Sequence, residues 1–346
     1  MGRLTFGDRF KAPGNSSGYR IRKKDMEIVK ENKDIVIKGE RVAPGQQKLL
    51  HINIDRLPTG TMIDIPIYVF NGKEPGPTVL IQAGLHGDEI NGIEIVRRML
   101  HKKYFKVKRG AVLVVPLLNV FGFIHFSRDV PDGKDVNRSF PGSKTGSLAS
   151  RIAHHYTSEI FPQIDYGIDL HTGGARHNNF PQVRYTEGDQ ASKQIADIFN
   201  APLTFSSELI NKSFRKASFR KGIPTIVYEA GESMRFDDFA IKRGIQGILN
   251  VMINFEMIDR INPLLKKQER SKYLLSKKWL RAPTAGMFIP KVTNGSEISK
   301  GQVLGIVADT FATYNKEIKA PYDGFVFCIN NQAVVNQGDA LFHVGR

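Results

Sequence analysis

The sequence predicts an α/β protein with a mixed, mostly parallel sheet, helices on both faces and a small all-β domain in its C-terminal part. Short apolar runs alternate with segments of helical periodicity over residues 61–255, a pattern typical of a sheet covered by helices. From about residue 281, short strand-like runs are separated by frequent Gly-containing turns, which indicates a small β domain. The 346 residues, of which 41% are hydrophobic, suffice for both cores.

Each element follows from its own local pattern. Apolar runs of strand length predict strands at residues 61–70, 78–83, 111–116, 166–170 and 225–228. Apolar residues at helical spacing predict helices at residues 90–100, 148–159, 191–199 and 236–255. Residues 1–50 are polar and basic, and we expect a basic lead-in that is loosely structured or forms edge strands. The remaining chain divides into an α/β domain (51–262), a charged connection and the C-terminal β domain (281–346).

Composition and charge narrow the classes of function. The net charge of +16, from 50 Lys and Arg against 34 Asp and Glu, attracts acidic metabolites, nucleic acid or a membrane surface. The basic clusters at residues 20–24, 102–109 and 266–270 are interpreted as solvated surface, and because no nucleic-acid motif accompanies them we expect no nucleic-acid partner. No apolar run approaches the roughly 18 residues that span a bilayer, and no apolar signal core follows Met1. The single cysteine, Cys328, excludes an internal disulfide and a thiolate zinc site, and we expect a cytoplasmic protein.

Two histidines and one glutamate form a candidate zinc site. His86 and Glu89 are three residues apart in a loop that follows an apolar strand, and His171 follows another strand 85 residues later. Two histidines and one carboxylate, with a fourth position open, are a ligand set of catalytic zinc. Ligands bind at the carboxyl ends of strands in open α/β sheets. Because these residues follow predicted strands, their position favours a metal site over a chance match of the motif.

Glu229 is the candidate general base, because it ends the apolar strand at residues 225–228. Amide hydrolysis requires a group that takes a proton from water and delivers it to the leaving amine. Glu232 is the competing candidate, and we expect it in the following loop. Asp169 either orients His171 or has a structural role as a turn cap or ion-pair partner, and the sequence leaves both open.

A charged, turn-rich loop at residues 127–142 contains two further candidates. Arg138 offers a planar guanidinium suited to a substrate carboxylate, and Arg128 could stabilise the oxyanion of an attacked carbonyl. For either arginine alone, a surface salt bridge is the simpler interpretation.

Four ordered motifs carry a family resemblance: Gly-Leu-His-Gly-Asp-Glu (84–89), Asp-Val-Asn-Arg-Ser-Phe-Pro-Gly (135–142), Asp-Leu-His-Thr-Gly (169–173) and Tyr-Glu-Ala-Gly (228–231). Together they resemble the succinylglutamate desuccinylase/aspartoacylase family, whose fold is zinc carboxypeptidase-like. The resemblance covers residues 60–260 and implies that residues 51–262 are a zinc hydrolase catalytic domain. It implies one Zn²⁺ per chain on His86, Glu89 and His171, with Glu229 as general base. By the same match Asn137 and Arg138 hold the substrate carboxylate, and Arg128 polarises the carbonyl from a longer loop than the family has.

The C-terminal segment resembles the barrel-sandwich fold of biotinyl and lipoyl carrier domains. Its hairpin at residues 309–319 contains Lys316 and Lys319 without the Met-Lys-Met pattern of biotin carriers. We therefore expect an unmodified β domain that flanks the cleft or mediates assembly.

We expect a zinc-dependent amidohydrolase that acts on a small anionic N-acyl amino acid or an acyl diamine. The alternatives are a metallocarboxypeptidase with the same catalytic groups and a non-catalytic anion-binding protein on a degenerate hydrolase fold. The identity of the acyl group and the formation of a homo-oligomer stay open.

Overall fold

The structure, a computed structural model, describes residues 32–56, 59–260 and 269–346. Its strands are β1 (Ile35–Ile37), β2 (Glu40–Val42), β3 (Gln47–Arg56), β4 (Met62–Asn71), β5 (Glu74–Gln82), β6 (Arg109–Val115), β7 (Tyr166–Gly173), β8 (His177–Thr186), β9 (Leu203–Ser207), β10 (Thr225–Glu232), β11 (Lys272–Tyr273), β12 (Lys277–Arg281), β13 (Gly286–Pro290), β14 (Glu297–Ile298), β15 (Val303–Ala308), β16 (Asn315–Lys319), β17 (Gly324–Asn330), β18 (Val334–Val335) and β19 (Ala340–Gly345). Its α-helices are α1 (Ile90–His101), α2 (Val120–Ile124), α3 (Leu148–Glu159), α4 (Gln190–Phe199), α5 (Phe214–Arg220) and α6 (Asp238–Asn254). Short 3-10 helices lie at Val136–Arg138 and Phe161–Gln163. None of the helices in these ranges is long and apolar enough to cross a bilayer.

One large mixed sheet organises the chain, with the strand order β12-β19-β17-β8-β10-β7-β5-β6-β4-β3. The central strands β6, β5, β7 and β10 run parallel to one another. Antiparallel strands flank them, with β4 and β3 on one side and β8 and β17 on the other. The predicted α/β class with a mixed sheet is therefore confirmed. The parallel strands occupy the centre because both of their faces are covered.

Two hydrophobic layers cover the two faces of this sheet. On one face α1, α4 and α6 pack against the sheet through residues such as Val96, Phe199 and Ile248. On the other face α3 and α5 pack through Ile152 and Phe214, together with the β1–β2 hairpin. The prediction of helices on both faces is confirmed, and the carboxyl ends of the central strands remain open between the layers.

The C-terminal strands continue the same sheet. β17 pairs with β8, β19 pairs with β17, and β12 pairs with β19. The strands β16, β15, β13 and β18 form a separate four-stranded sheet, which packs on the C-terminal strands of the main sheet around Leu304 and Phe342. The predicted all-β region from residue 281 is thus present, and it shares a sheet with the α/β part. We keep the division into domains at residues 51–262 and 281–346 as a proposal about folding units.

Residues 35–50 form β1, β2 and the start of β3, the last strand in the sheet order, which corresponds to the edge-strand alternative for the lead-in. Other elements differ from the sequence prediction. The strands β8 and β9 and the helix α5 were not predicted. The basic clusters at residues 20–24 and 266–267 and the start of the charged connection lie outside the described residues.

Candidate active site

His86 and Glu89 lie in a tight loop between β5 and α1. Gly84 adopts a left-handed backbone conformation, with φ of +62°, and its carbonyl accepts a hydrogen bond from Asn119 N at 2.7 Å. A Cβ atom on Gly87 would lie 2.0 Å from the backbone of Gly122 and Phe123. This loop therefore has its conformation only because glycine allows the backbone of α2 to approach so closely.

His171 completes the cluster from the neighbouring strand β7. Its Nδ1 lies 2.8 Å from Glu89 Oε2, and His86 Nδ1 lies 2.7 Å from Glu89 Oε1. The three side chains are buried, and their candidate ligand atoms all lie within 4.8 Å of one another. The structure thus brings together the three residues that the sequence selected as zinc ligands. β7 extends to Gly173, so His171 lies within the strand and not past its end.

Carboxylates contact the opposite nitrogen of each histidine. His171 Nε2 lies 2.9 Å from Asp169 Oδ2, and His86 Nε2 lies 3.3 Å from Asp135 Oδ1 without the geometry of a hydrogen bond. Gln82 Nε2 in turn donates to Asp169 Oδ1 at 2.8 Å. Such carboxylate–histidine pairs orient the imidazole rings of metal sites and direct Nδ1 toward the ion. Of the two roles left open for Asp169, its contact with His171 fits the orienting one.

Burial and charge act against each other in this cluster. Burial opposes the ionisation of Glu89, but His86 and His171 outweigh it and hold the pKa of Glu89 well below its usual range. Burial also disfavours protonated His171, yet Asp169 and Glu89 raise its pKa well above the usual value. A cation that bound at the Nδ1 atoms would replace these protons, since a metal binds the deprotonated imidazole nitrogen.

Arg128 lies beside the ligand cluster. Its Nη1 is 3.3 Å from both His86 Nδ1 and Glu89 Oε1, while Nε and Nη2 donate to Asp135 Oδ2 at 3.1 and 2.9 Å. Asp135 therefore fixes the guanidinium in place, and a cationic donor group lies next to the ligand cluster.

Asn137 and Arg138 line the same cleft from the 3-10 helix at Val136–Arg138. Asn137 N donates to Asp135 Oδ1 at 2.6 Å, and Asn137 Oδ1 accepts from Phe214 N at 2.8 Å. Arg138 is partly exposed, and its Nη1 donates to the Asn137 carbonyl at 2.7 Å. Arg128, Asn137 and Arg138 thus line one cleft, and each of them contacts Asp135.

Glu229 lies on β10 directly opposite His171 on β7. Its Oε2 accepts a hydrogen bond from Asn179 Nδ2 at 2.8 Å, and its Oε1 lies 3.1 Å from Arg184 Nη1. Glu232 is not in the following loop, as the sequence analysis expected, but is the buried last residue of β10, where its Oε2 accepts from Asn331 Nδ2 at 2.7 Å. The expectation for Glu232 was wrong because β10 runs past a register irregularity and stays paired up to that residue.

The cleft around these groups has a volume of about 340 Å³. Residues that the sequence analysis did not select also line it, and six of them belong to unpredicted or C-terminal strands: His177, Asn179, Arg184, Trp279, Cys328 and Ala340. Asn179 and Arg184 lie on β8. This strand contains Pro181 and several polar residues, so its sequence lacks the apolar pattern that predicts a strand. Trp279 and Cys328 reach the cleft only because β12 and β17 join the sheet, which no local pattern indicates.

Arg215, also missed, is a buried cation in the cleft wall. Its Nη2 donates to Ser207 Oγ and to the Glu208 carbonyl at 2.8 Å each, and its Nη1 has no partner among the described residues. Burial, with Arg184 nearby, lowers the pKa of Arg215 to about 10, so the guanidinium stays charged at neutral pH. A buried positive charge with an unused donor favours an anionic ligand.

Comparison with known proteins agrees with this geometry. The sequence profile of the succinylglutamate desuccinylase/aspartoacylase catalytic domain matches residues 75–254, more than half of the chain. The protein belongs to the succinylglutamate desuccinylase/aspartoacylase family. The matched range contains both histidines, Glu89 and Glu229, and membership of this family of deacylases supports the hydrolysis of an amide.

Three relatives illustrate the similarity. The N-alpha-acetyl-L-2,4-diaminobutyric acid deacetylase of Halomonas elongata is 28% identical over 290 residues, which cover 80% of this chain and 84% of that protein. A crystal structure of a succinylglutamate desuccinylase/aspartoacylase from Rhodobacter sphaeroides has 26% identity and a TM-score of 0.76, covering 87% of this chain and 95% of the other. A product-bound structure of the ectoine utilization protein EutE of Ruegeria pomeroyi has a TM-score of 0.75 at 22% identity, covering 87% and 94%, and is similar in fold.

Proposed function

We propose that this family member is a zinc-dependent deacylase that hydrolyses the amide of a small, anionic N-acyl amino acid. The observation that carries the proposal is the convergence of His86, Glu89 and His171 beside Glu229 in one cleft. The donor set fits zinc, because two imidazole nitrogens and one carboxylate leave a position free for water or substrate. When bound, zinc supplies a Lewis acid that polarises a carbonyl and makes water more acidic.

Glu229 is proposed as the base and proton carrier. Its carboxylate is held by Asn179 and Arg184 on the strand next to β10, and its Cα lies opposite that of His171. A carboxylate fixed next to the ligand cluster is suited to take a proton from water and to pass it to the leaving amine. Arg128 is proposed to stabilise the negative charge that develops on the carbonyl oxygen.

The substrate is proposed to bind through its carboxylate at Asn137 and Arg138. The additional charge of Arg215 supports an anionic ligand, since its Nη1 has no partner among the described residues. A cleft of about 340 Å³ lies at the small end of the range for ligand pockets. The C-terminal strands close one side of it through Trp279, which favours a small acyl amino acid over a peptide and therefore a deacylase over a carboxypeptidase.

The name of the Halomonas elongata relative makes N-alpha-acetyl-L-2,4-diaminobutyrate the first substrate to assay. We also propose a cytoplasmic setting, with which the single buried thiol of Cys328 is compatible.

The test combines metal analysis with a substrate panel of N-acetyl and N-succinyl amino acids and a C-terminal dipeptide. We expect close to one zinc per chain, hydrolysis of at least one acyl amino acid, and loss of activity on chelation that added zinc restores. Glu229→Gln is expected to keep the zinc while kcat falls by several orders of magnitude. Glu232→Gln is the matched control, because Glu232 is a buried glutamate of the same strand that contacts Asn331 instead.

Three results would contradict the proposal. Full activity of Glu229→Gln would remove the assigned base. Preference for the dipeptide over every acyl amino acid would favour the carboxypeptidase. Purified protein without zinc and without activity, but with salt-dependent affinity for nucleic acid, would favour the anion-binding alternative.

A further inference from the structure

A row of paired residues crosses the sheet from the C-terminal strands to the candidate base. Trp279 on β12 lies opposite His343 on β19, and His343 lies opposite Cys328 on β17. Cys328 lies opposite Asn179 on β8, whose amide donates to Glu229. Residues directly opposite each other on neighbouring strands have their side chains on the same face. The C-terminal strands therefore extend the catalytic face of the sheet beyond Glu229.

Trp279 gives this extension a rigid aromatic surface. Its ring stacks on His343, with centroids 4.1 Å apart and an interplanar angle of 14°, and meets the edge of the His177 ring at 5.4 Å. The side chain keeps 36% of its surface exposed, and it lines the cleft together with Cys328 and Ala340. We call these three residues the C-terminal wall. A held ring with an open surface is suited to contact a ligand, since its rotamer is already fixed.

The position of the wall determines which part of the substrate meets it. The loop with Asn137 and Arg138 follows β6 and contacts the start of α5 at Phe214. The wall belongs to β12, β17 and β19, and β8, β10, β7 and β5 lie between β17 and β6 in the sheet order. The ligand cluster comes from β7 and from the loop after β5. A substrate whose carboxylate binds at Arg138 and whose amide lies at the ligand cluster thus directs its acyl group toward the wall.

We propose that the C-terminal wall is the acyl-group subsite and that Trp279 selects a short, uncharged, apolar acyl group. This inference rests on the proposed deacylase function and adds to it the chemical class of the acyl group.

The charges around the wall argue against an acyl group with an ammonium. Burial, together with the positive charges of Arg184 and Lys277, lowers the pKa of His343 to about 3. The imidazole behind Trp279 is therefore neutral, and the surrounding field is positive. A cation bound at the ring would face this field, which outweighs the modest attraction of a cation to an exposed aromatic face.

The same cations are not free to bind an acyl carboxylate. Arg184 Nη1 lies 3.1 Å from Glu229 Oε1, and Lys277 Nζ donates to the Ser206 carbonyl at 2.8 Å. A succinyl carboxylate would have to compete with Glu229 for Arg184 and would disturb the candidate base. Arg215, whose Nη1 has no partner among the described residues, follows Phe214, which contacts Asn137, and is assigned to the carboxylate of the amino acid part. An uncharged acyl group requires no exchange of partners at Arg184.

The expected selectivity follows from the burial of methylene groups against the ring. Each buried methylene contributes about a fourfold gain in kcat/KM, from the free energy of apolar transfer. Butanoyl has two methylenes more than acetyl, so we expect about a fifteenfold preference for butanoyl. Succinyl has the length of butanoyl plus one charge and is expected to fall below it.

The experiment measures kcat/KM for the N-acetyl, N-butanoyl and N-succinyl forms of L-2,4-diaminobutyrate with the zinc-loaded full chain. We expect Trp279→Ala to lower the butanoyl-to-acetyl ratio about tenfold, and Trp279→Phe to retain most of it because the aromatic plane remains. Phe311→Ala is the matched control, since Phe311 is an exposed aromatic of the C-terminal region at the β15–β16 turn, and it should leave the ratio unchanged. The proposal would be overturned if Trp279→Ala left the butanoyl-to-acetyl ratio of kcat/KM unchanged. It would also be overturned if the wild type had a higher kcat/KM for the N-succinyl than for the N-butanoyl substrate.

A binding measurement separates this inference from the proposed function. Trp279 is the only tryptophan of the chain, so its fluorescence reports directly on the wall. We expect a saturable fluorescence change on titration with sodium butyrate, at lower concentration than with sodium succinate. If the wild type hydrolyses no amide of the wider acyl amino acid panel, the deacylase function fails while this titration still tests the subsite. Absence of a saturable change with butyrate, or tighter binding of succinate, would contradict the acyl subsite.

Discussion

Replacement of Asn179 by leucine tests how Glu229 is positioned. Asn179 is buried, and its amide donates at 2.8 Å to Glu229 Oε2, while Arg184 contacts the other oxygen. A hydrogen bond to a charged group contributes about 1.5–3 kcal/mol. If this bond holds Glu229 in its reactive orientation, its loss lowers kcat by about 10- to 150-fold, because 1.36 kcal/mol corresponds to a factor of ten. Leucine has the same branching at Cγ, with a larger side chain and no hydrogen-bonding group, and the zinc content should stay at one per chain.

Steady-state kinetics on the best substrate of the panel measure the effect. Asn178→Leu is the control, because the adjacent position on β8 points its side chain to the opposite face. A double variant with Glu229→Gln completes the test: if Asn179 acts through Glu229, Asn179→Leu should cost little further activity in that background. The positioning role would be refuted if Asn179→Leu lowered kcat as much in the Glu229→Gln background as in the wild type. It would also be refuted if the folded single variant had an unchanged kcat.

Two further predictions concern the ligand loop and the C-terminal strands. Gly87→Ala places a Cβ 2.0 Å from the backbone of Gly122 and Phe123. We therefore expect a zinc content well below one per chain and a free energy of unfolding that is lower by about 1–3 kcal/mol. A zinc content of one per chain at an unchanged Tm would contradict this. His343 has a folded pKa of about 3, mainly because of burial, and an unfolded value near 6.5; its stabilisation is therefore complete above pH 6.5 and decreases as the pH falls toward 3. Between pH 7.5 and pH 5 we expect the free energy of unfolding, measured by urea denaturation, to decrease by about 2 kcal/mol less in His343→Phe than in the wild type. Equal decreases in the two proteins would show that His343 is protonated in the folded protein.

Local patterns were sufficient to predict the frame of the fold. The helix predicted at residues 148–159 is α3, Leu148–Glu159, where Ser147 caps the N-terminus by accepting a hydrogen bond from Ser150 N. The buried strands β5, β6, β7 and β10 were recognisable because parallel strands covered on both faces are continuously apolar. The ligand loop was recognisable because it directly follows such a strand.

The rest of the cleft depends on contacts between distant segments. β8 combines Pro181 with polar residues that serve the cleft, so its sequence lacks the alternation that predicts a strand. Arg215 belongs to the short helix α5, and its burial results from packing near β9 and not from any periodicity. Trp279 enters the cleft through a register that spans β12, β19, β17 and β8. Such long-range register has no signature in a single sequence.

The pairing of β17 with β8 has a consequence for the synthesis of the chain. His86, Glu89, His171 and Glu229 all leave the ribosome before residues 324–345, which form β17 and β19. Until then β8 has a free edge next to Asn179, and the cleft lacks one side. A nascent chain can therefore assemble the ligand cluster early, but it acquires a closed, selective cavity only when its C-terminal strands dock.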